Sequence, residues 1–344
     1  MNEASLAEPA PNRLAQLLEA HFSESTLATL LGPESATLGE LWRRALRGPV
    51  HEFVERPSKA LRAGLVVRCF ELAGGQGHCP EELGALVEIL HAGSLIIDDI
   101  EDASTSRRGR PALHALHGVP VALNAGNWMY FWALSLVPEL PFDERRQLEL
   151  YRWVHRTLLR CHHGQGLDLT ANVYQLAQSD VARVVQATTE LKTGALMELA
   201  AVLGALAAGA GHERTNTFAQ FGREVGVALQ MLDDLSSVVN ERRRHKGHED
   251  LRLGRPTWPW AWLSTMLPRE DHAELQALGR RVAAHELHPE VLARRLREHL
   301  RGSGRVRIRR HVYAAFRRLQ RETGASPALA GLRVELGRME RSYG

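Results

Sequence analysis

Residues 91–102 read His-Ala-Gly-Ser-Leu-Ile-Ile-Asp-Asp-Ile-Glu-Asp, an apolar segment that leads directly into an acidic one. On a helix, Asp98 and Asp102 lie four positions apart, so both carboxylates project from the same face. Like charges at this spacing oppose helix formation unless a cation lies between them. Hard divalent cations such as Mg²⁺ prefer oxygen ligands, so the stretch indicates a metal site at the end of a buried helix. Taken alone, the motif is equally compatible with a solvated acidic helix end.

The rest of the chain shows helical periodicity almost throughout. Apolar spacing predicts long helices over about 59–73, 80–102, 119–136, 143–163, 178–208 and 214–240, and shorter ones near 256–266, 271–285, 289–300, 305–322 and 327–340. No segment alternates apolar and polar residues for long enough to predict a strand. We therefore expect an all-α fold in which residues 1–12 form a loose N-terminus and residues 13–344 form one domain, a large helical bundle.

The composition is that of an ordinary globular protein. Of the 344 residues, 44% are hydrophobic and 24% are charged, and the formal net charge of +3 argues against a nucleic-acid-binding surface. Cys69, Cys79 and Cys161 cannot all pair, which favours reduced thiols and a cytoplasmic location. The N-terminus lacks the pattern of a signal peptide, and the longest apolar run, Leu199–Ala210, is too short to cross a bilayer. We expect no transmembrane segment.

Two further features favour the binding of a diphosphate. Arg107 and Arg108 follow the acidic stretch, and adjacent guanidinium groups beside a carboxylate–metal cluster are typical of a site where metals and arginines share an anion. An arginine pair in surface salt bridges is the alternative interpretation. Further along, an apolar amphipathic segment from Phe221 ends in Asp233 and Asp234. Two such helices facing each other would place acidic clusters on opposite walls of one cavity.

The ordered set of motifs resembles the trans-prenyl diphosphate synthases, and most of all the geranylgeranyl diphosphate synthases of animals and fungi. The similarity runs from about residue 55 to residue 260. It rests, in chain order, on Ser94–Asp102, Arg107–Gly109, Gly164–Asp168, Lys192–Gly194 and Asp250–Leu251. The resemblance implies a bundle of the isoprenoid synthase type around a central apolar cavity, and it implies a homodimer.

The resemblance also implies which residues bind the allylic prenyl diphosphate. Its metal ligands would be acidic residues that hold three Mg²⁺ ions, with a further acid ordering metal-bound water: Asp98, Asp102 and Asp233, then Asp168. Its cationic contacts would be Arg107, Lys192 and Lys246, with Arg255 standing where the family often has a lysine.

The second substrate implied is isopentenyl diphosphate, whose double bond attacks the ionised allylic carbon to lengthen the chain. Its binding residues would be cationic or imidazole side chains: Lys59, Arg62, His91 and Arg108. Thr193 and Gln230 would face the reacting carbons and stabilise positive charge there, and Asp99 completes the catalytic candidates.

Product length would depend on the floor of the cavity. Gly93 and Ser94 lie about one helical turn before Asp98, and bulky aromatic residues at such positions stop growth early in farnesyl-producing relatives. Since a glycine leaves room, we predict growth to the twenty-carbon geranylgeranyl diphosphate.

Several positions depart from the family pattern. Ser237 stands where a fifth acid is common in the second motif, Ala60 where an arginine is common, and Leu191 where a glutamine often precedes the lysine. Lys246 is offset by one place, as a one-residue deletion would produce. These departures motivate one alternative, a noncatalytic subunit that modifies an active partner. A class I terpene cyclase, which needs no isopentenyl diphosphate site, is the other.

The distribution of lysine and arginine is uneven along the chain. Only three of the 43 basic residues are lysines, namely Lys59, Lys192 and Lys246, and all lie in motif segments. A compact ammonium and a planar guanidinium are not equivalent at a crowded phosphate site, so we hypothesise that these positions require lysine. The arginine-rich segment Arg305–Arg318 is interpreted as a solvated helix face, or as a surface that attracts an anionic membrane or the product.

Overall fold

The computed structural model describes residues 13–342, so the loose N-terminus predicted for residues 1–12 lies outside the described residues. Contacts divide the chain into two compact units. Unit 1 contains Met1–Gly64 and Pro80–Tyr151, and unit 2 contains Leu65–Cys79 and Arg152–Gly344. The single domain and its central apolar cavity stay predictions, and each unit is described by itself.

The secondary structure is almost entirely helical. In the described part of the chain the α-helices are α1 (Arg13–His21), α2 (Glu24–Leu31), α3 (Pro33–Ala36), α4 (Gly39–Trp42), α5 (Gly48–Val54), α6 (Leu61–Leu72), α7 (Glu81–Glu101), α8 (Leu113–His117), α9 (Val119–Ser135), α10 (Glu144–Thr170), α11 (Gln178–Thr189), α12 (Ala195–Ala207), α13 (His212–Val239), α14 (Arg244–Leu253), α15 (Trp258–Met266), α16 (Arg269–Ala283), α17 (Pro289–Leu300), α18 (Ser303–Thr323) and α19 (Pro327–Ser342). Two π-helical segments, Arg43–Arg47 and Glu190–Gly194, and a 3₁₀ segment, Glu241–Arg243, complete the helical structure. The all-α prediction is confirmed.

A small hairpin is the only β-structure among residues 13–342. Strands β1 (Ser106–Arg107) and β2 (Arg110–Pro111) pair antiparallel, with Arg107 opposite Arg110. The two turn residues between them, Arg108 and Gly109, have φ values of 53° and 77°. Positive φ at both positions is what a type I′ turn requires, and it explains the glycine after the arginine pair. Strands of two residues are too short to produce a pattern of alternation, so the sequence did not reveal them.

In unit 1, helices α7 and α9 pack closely because each contributes a glycine at the contact. A Cβ atom added to Gly93 would lie 2.9 Å from the carbonyl oxygen of Gly126 and 3.1 Å from Cβ of Met129. A Cβ atom on Gly126 would lie 2.8 Å from the terminal carbon of Ile97. Gly93 therefore has a packing function, whatever its effect on product length.

In unit 2, α12 is buried on all sides from Ala195 to Leu206, as a sequence that is apolar except for Glu198 requires. Two glycines allow the backbones of neighbouring helices to approach α12 closely. A Cβ atom on Gly204 of α12 would lie 2.1 Å from the carbonyl oxygen of Val66, and one on Gly222 of α13 would lie 2.4 Å from that of Met197. The long helix α13, which carries the second acidic motif, is thereby fixed against the core of unit 2.

Helix α14 was not predicted from the sequence. It buries only Gly247 and Leu251, and the rest of its sequence is polar, so it shows no apolar stripe. Its end is marked by Gly254, which caps the helix in the left-handed conformation at φ 67°. No helix in the described residues is long and apolar enough to span a membrane.

We expect Gly204→Ala to lower the free energy of unfolding by about 2 kcal/mol or more, because the new methyl group would collide with backbone atoms that cannot rotate away. Chemical denaturation of both proteins measures the difference. Gly331→Ala is the matched control, since nothing lies within 4 Å of a Cβ atom at this position in α19. Alanine there should stabilise the protein by up to about 1 kcal/mol. Equal unfolding free energies for the two variants would contradict this account of the packing.

Candidate active site

The first acidic cluster lies at the C-terminal end of α7. Asp98 is in the last turn, and Asp102 is the C-cap residue, whose N–H donates to the carbonyl oxygen of Asp98. Carboxylates at this end of a helix are unfavourable, because the helix dipole already places partial negative charge there. The arrangement therefore suits a cation, and the acid types and oxygen ligands suit Mg²⁺.

Asp99 lies between these two acids in sequence but contacts a different group. Its side chain is 1% exposed and accepts hydrogen bonds from Arg107, whose Nε lies 2.7 Å from Oδ1. Burial raises the pKa of Asp99, and Arg107 partly opposes that rise. Although burial lowers the pKa of Arg107, the hydrogen bond to Asp99 and the charges of Asp99, Asp98 and Asp102 raise it overall. Asp99 thus positions Arg107 beside the acidic cluster.

The hairpin that carries Arg107 is anchored by Arg56, a residue outside every motif identified in the sequence. The Arg56 side chain is 0% exposed and pairs with Glu52 at 2.7 Å. Its guanidinium also donates to the carbonyl oxygens of Arg107 at 3.1 Å and Pro111 at 2.8 Å. A fully buried arginine that binds two carbonyls of one hairpin fixes the position of that hairpin, and with it the arginine pair.

A cluster of positive charge surrounds His91 in unit 1. Burial is the main cause that places the pKa of His91 well below its ordinary value, and the charges of Arg62, Arg108 and Arg107 lower it further. Burial likewise lowers the pKa of Arg108, whose guanidinium lies 5.6 Å from the centre of the Phe53 ring. The structure therefore brings together three of the four residues predicted to bind isopentenyl diphosphate.

The segment that carries the fourth residue, Lys59, is held by a buried acid. Glu88 of α7 accepts hydrogen bonds from the backbone N–H groups of Arg62 at 3.2 Å and Ala63 at 3.3 Å. A carboxylate at this position caps the N-terminus of α6, where the helix dipole favours negative charge. Lys59 itself is exposed, and Ala60 adopts a φ of 45°, a conformation unusual for alanine.

In unit 2, Asp168, Lys192 and Arg255 come together although they are far apart in sequence. Lys192 Nζ lies 2.7 Å from Asp168 Oδ2, and Arg255 donates to the carbonyl oxygen of Asp168 at 2.6 Å. Gly164 makes this possible, because a Cβ atom there would lie 2.7 Å from Cβ of Leu191 and 2.9 Å from Cγ of Lys192. Gly164, the first glycine of the Gly164–Asp168 motif, is thus required for the close approach of α10 to Lys192.

Lys192 and Thr193 lie in the π-helical segment, a distortion often found at functional sites. Thr193 Oγ1 donates to Gln230 Oε1 at 2.7 Å, and Gln230 Nε2 donates to Asp234 Oδ1 at 2.8 Å. The backbone of α13 lies directly against the backbone of the π-helical segment here, since a Cβ atom on Gly226 would lie 2.7 Å from the carbonyl oxygen of Thr193. The two candidates for stabilising positive charge are therefore joined in one hydrogen-bonded chain.

The two acids of the second motif have different partners. Asp233 accepts from Arg243 at 2.5 Å and from Lys246. Burial opposes its ionisation, but these two cations hold the pKa of Asp233 below its ordinary value. Asp234 instead accepts from the N–H of Trp258 at 2.9 Å, at the start of α15, and burial raises its pKa to about 7. Asp233 is thus the metal-ligand candidate, and Asp234 holds two helices together.

Arg243 and Asp250 extend this cluster. The Arg243 guanidinium also donates to Ser236 Oγ at 2.8 Å, and its role was missed because it lies among three successive arginines. Burial raises the pKa of Asp250 to about 7, while the charge of Lys246 opposes the rise. Lys246 therefore lies within electrostatic reach of both Asp233 and Asp250.

The two remaining sequence positions of interest have local partners. Ser237, at the place of the common fifth acid, is buried, and a Cβ atom on Gly247 would lie 2.1 Å from its carbonyl oxygen. Helix α14 thus packs directly on that position. Ser94 Oγ donates to the carbonyl oxygen of its own helix at His91, at 2.8 Å. The chain-length function of Gly93 and Ser94 stays a prediction.

Glu198 is a buried acid of unit 2 that sequence reasoning overlooked. Its side chain is 2% exposed and binds Arg160 at 2.7 Å, Arg223 at 2.9 Å and Arg156 at 3.6 Å. Nothing in a stretch of otherwise apolar sequence distinguishes it, except that a single acid in a buried helix requires a cationic partner. It joins α10, α12 and α13 behind the Lys192 segment.

Comparison with known proteins identifies the family of the chain. A family model described as Polyprenyl synthetase matches residues 43–293. The geranylgeranyl pyrophosphate synthase of Eremothecium gossypii is 31% identical over 246 residues, which cover 69% of this chain and 74% of that protein. Geranylgeranyl pyrophosphate synthase cle6 of Aspergillus versicolor is 29% identical over 245 residues, or 71% of this chain, but the match spans only 62% of that protein's length.

Solved structures show the same fold at lower sequence identity. A geranylgeranyl pyrophosphate synthase has a TM-score of 0.75 and 20% identity, with 96% of this chain and 98% of that chain covered. A decaprenyl diphosphate synthase from Rhodobacter capsulatus has a TM-score of 0.74 and 20% identity, with 94% and 100% covered. The fold expected from the motifs is confirmed, and because the family model matches well over half of the sequence, the chain belongs to the polyprenyl synthetase family.

Proposed function

We propose that this protein is a trans-prenyl diphosphate synthase that condenses an allylic prenyl diphosphate with isopentenyl diphosphate and releases geranylgeranyl diphosphate. One observation carries the proposal. Each of the three cations predicted for the allylic diphosphate is paired with an acid of the motifs: Arg107 with Asp99, Lys192 with Asp168, and Lys246 with Asp233. A diphosphate accompanied by metal ions offers a new partner to both members of each pair, since it is negative towards the cations and its metals are positive towards the acids.

Asp98, Asp102 and Asp233 are the residues that would hold Mg²⁺. When bound, the metal would stabilise negative charge on the departing diphosphate. Arg107 is held at the acidic cluster by Asp99, so its guanidinium can bind diphosphate oxygens without a large loss of side-chain entropy. Lys192 and Lys246 would add compact positive charges, and together these contacts favour cleavage of the allylic C–O bond with both electrons leaving on oxygen.

The resulting allylic cation would be attacked by the double bond of isopentenyl diphosphate, which forms the new carbon–carbon bond. The proton then lost would pass to the released diphosphate. Thr193 and Gln230, held to each other at 2.7 Å, are the polar groups that would stabilise the cation. No protein nucleophile is required.

The isopentenyl diphosphate site proposed consists of the cationic side chains Lys59, Arg62 and Arg108 together with His91. Its support is electrostatic: burial lowers the pKa of His91, the charges of the neighbouring arginines lower it further, and a bound diphosphate would relieve the repulsion among those arginines. A terpene cyclase would have no use for this second cationic cluster. The two relatives are named geranylgeranyl pyrophosphate synthase, which favours a prenyl diphosphate synthase over a cyclase.

The identity of the product, the homodimer and the cytoplasmic location are also parts of the proposal. The product length is supported by the two relatives described above, both of which are named geranylgeranyl pyrophosphate synthase. The homodimer and the location are carried by the family resemblance and by the composition of the chain.

We expect the pKa of His91 in the free protein to lie well below its ordinary value, because burial and three arginines oppose its protonation. Arg62→Gln should raise the pKa of His91, since it removes one opposing charge, and inorganic diphosphate should raise it by favouring the imidazolium. NMR titration of the histidine side chains measures both effects. Arg110→Gln is the control, because Arg110 is an exposed residue of the β1–β2 hairpin and does not contribute to the shift of the His91 pKa. A His91 pKa that responds to neither Arg62→Gln nor diphosphate would refute this site.

Purified protein incubated with farnesyl diphosphate, isopentenyl diphosphate and Mg²⁺ should release the twenty-carbon product, identified by extraction and mass spectrometry. Asp98→Asn should reduce kcat by about a hundredfold or more, because it removes a ligand that acts on the leaving group. Glu101→Gln removes the same charge from an exposed position of the same helix and should leave kcat nearly unchanged.

Other outcomes of this assay identify the alternatives. Product of fifteen carbons or fewer would contradict the predicted length. Diphosphate release that does not depend on isopentenyl diphosphate would indicate a cyclase, and turnover only after addition of a partner protein would indicate a noncatalytic subunit.

Replacing the motif lysines with arginine tests whether the site requires an ammonium group. We expect Lys192→Arg and Lys246→Arg to lower kcat/KM for the allylic substrate by about tenfold, because a planar guanidinium cannot replace a compact ammonium against Asp168 and Asp233. Lys59→Arg should act on the KM for isopentenyl diphosphate. Arg252→Lys, an exchange at an exposed position of α14, is the control. Unchanged kinetics in all three lysine variants would reject the hypothesis.

A further inference from the structure

A cavity of about 410 Å³ lies in unit 2 between α13, α18 and α19. This is within the size range of small-molecule pockets. Its lining is apolar on α13 and largely cationic on the other two helices: Leu232, Leu235, Ser236 and Val239, then Arg305, Arg309, Gly337, Glu340 and Arg341. None of these residues belongs to the set proposed for the substrates.

The apolar floor of the cavity is a helical stripe. Leu232, Leu235, Ser236 and Val239 follow the spacing i, i+3, i+4 and i+7, so they share one face of α13. Helix α18 lies tightly against this floor, since a Cβ atom on Gly304 would be only 3.0 Å from the side chain of Leu235. The close contact at Gly304 fixes the place at which the next residue, Arg305, and Arg309 one turn later meet the cavity.

Positive charge exceeds negative charge in the lining. Arg305, Arg309 and Arg341 oppose a single acid, Glu340, which binds Arg309 at 2.8 Å. A Cβ atom on Gly337 would lie 3.6 Å from Nη1 of Arg341, so this guanidinium lies along α19 over the glycine. The absence of a side chain at Gly337 leaves room beside the charge.

The position of Arg305 is unfavourable without an anion. Arg305 is in the first turn of α18, where the helix dipole opposes positive charge, and this turn contains no acidic residue. An anionic group in the cavity would interact favourably with the arginines and with the helix N-terminus together. An apolar floor beneath a cationic rim suits a molecule that has an apolar part and an anionic group.

We propose that this cavity is a second binding site for a soluble prenyl diphosphate, separate from the site of condensation. The arginines bind the diphosphate, and the first carbons of the prenyl chain lie against Leu232, Leu235 and Val239. The choice of a prenyl diphosphate rests on the proposed function, because that function supplies such molecules. The anionic and apolar character of the ligand rests on the cavity alone.

Isothermal titration of the full chain with farnesyl thiodiphosphate, in EDTA without Mg²⁺, tests the site. Wild-type protein should bind the probe, and Arg305→Gln/Arg309→Gln should bind it at least about tenfold more weakly. The matched control is Arg307→Gln/Arg310→Gln, which removes the same charge from exposed positions of the same helix outside the cavity. Equal affinity of the three proteins, or equal loss in both variants, would overturn the proposal.

A second pair of variants tests the cavity without changing its charge. Gly337→Leu should fill the space beside Arg341 and weaken binding at least about tenfold, whereas Gly331→Leu, in the same helix with open space around it, should not. Leucine favours a helix over glycine, so neither variant is expected to unfold α19. Unchanged binding by Gly337→Leu would overturn the proposal.

Two further arms identify the ligand. Inorganic diphosphate should bind more weakly than farnesyl thiodiphosphate, and equal affinity would overturn the role of the apolar floor. Sedimentation with vesicles of phosphatidylglycerol and phosphatidylcholine should leave the protein in solution. Sedimentation that depends on Arg305 and Arg309 would overturn a soluble ligand in favour of a lipid surface. Because the titration requires no turnover, an inactive protein that still binds would reject only the proposed function.

Discussion

Negative charge from adjacent aspartates on two largely buried helices is the constraint on which the rest of this structure depends. Helix α7 carries Asp98 and Asp99 in its last turn, where the helix dipole opposes negative charge, and α13 carries Asp233 and Asp234 five to six residues before its end. Burial raises the pKa of Asp99 and of Asp234. In each unit, cations from other elements form salt bridges with these aspartate pairs: Arg107 in unit 1, and Arg243 with Lys246 in unit 2. The chemistry proposed for the protein uses the same charges, since acids that need cations can take metal ions and cations so placed can take a diphosphate.

Within each acidic pair the two residues have separate tasks. Asp99 is buried against Arg107, and Asp234 is buried against the start of α15, so neither is positioned like its neighbour. The neighbours, Asp98 and Asp233, remain partly exposed on the same helices. An adjacent pair therefore supplies one side chain that organises the protein and one that is available to a ligand. The 100° rotation between successive helical positions is the physical reason.

Glycine controls how near the functional segments come to their neighbours. Gly164 admits Lys192, Gly226 admits Thr193, and Gly93 with Gly126 brings α7 against α9. In each case a Cβ atom would meet other atoms at 2.7–2.9 Å, which is shorter than non-bonded atoms allow. The motif glycines are thus as specific as the charged residues beside them, because the charged groups could not meet if the backbones were further apart.

Helix positions were largely predictable, as shown by α7, α9 and α13, whose observed bounds differ from the expected ones by at most two residues. Long apolar stripes are local signals, so they can be read without knowing what the helix contacts. Helix α14 and the β1–β2 hairpin were missed for the opposite reason. Helix α14 buries two residues and the hairpin pairs four, so their stability comes from neighbours and from turn geometry.

The sequence by itself determined the helical class, the order of the motifs and the chemistry that acids and cations in that order can perform. Those properties depend on residue type and on spacing within one helix. Only the tertiary structure decided that Glu88 caps α6, that Arg56 anchors the hairpin, that Glu198 gathers three arginines and that Arg243 joins Asp233. A buried charge must find a partner, but many candidates of the right sign are present in the chain, and packing alone decides which one comes within hydrogen-bonding distance.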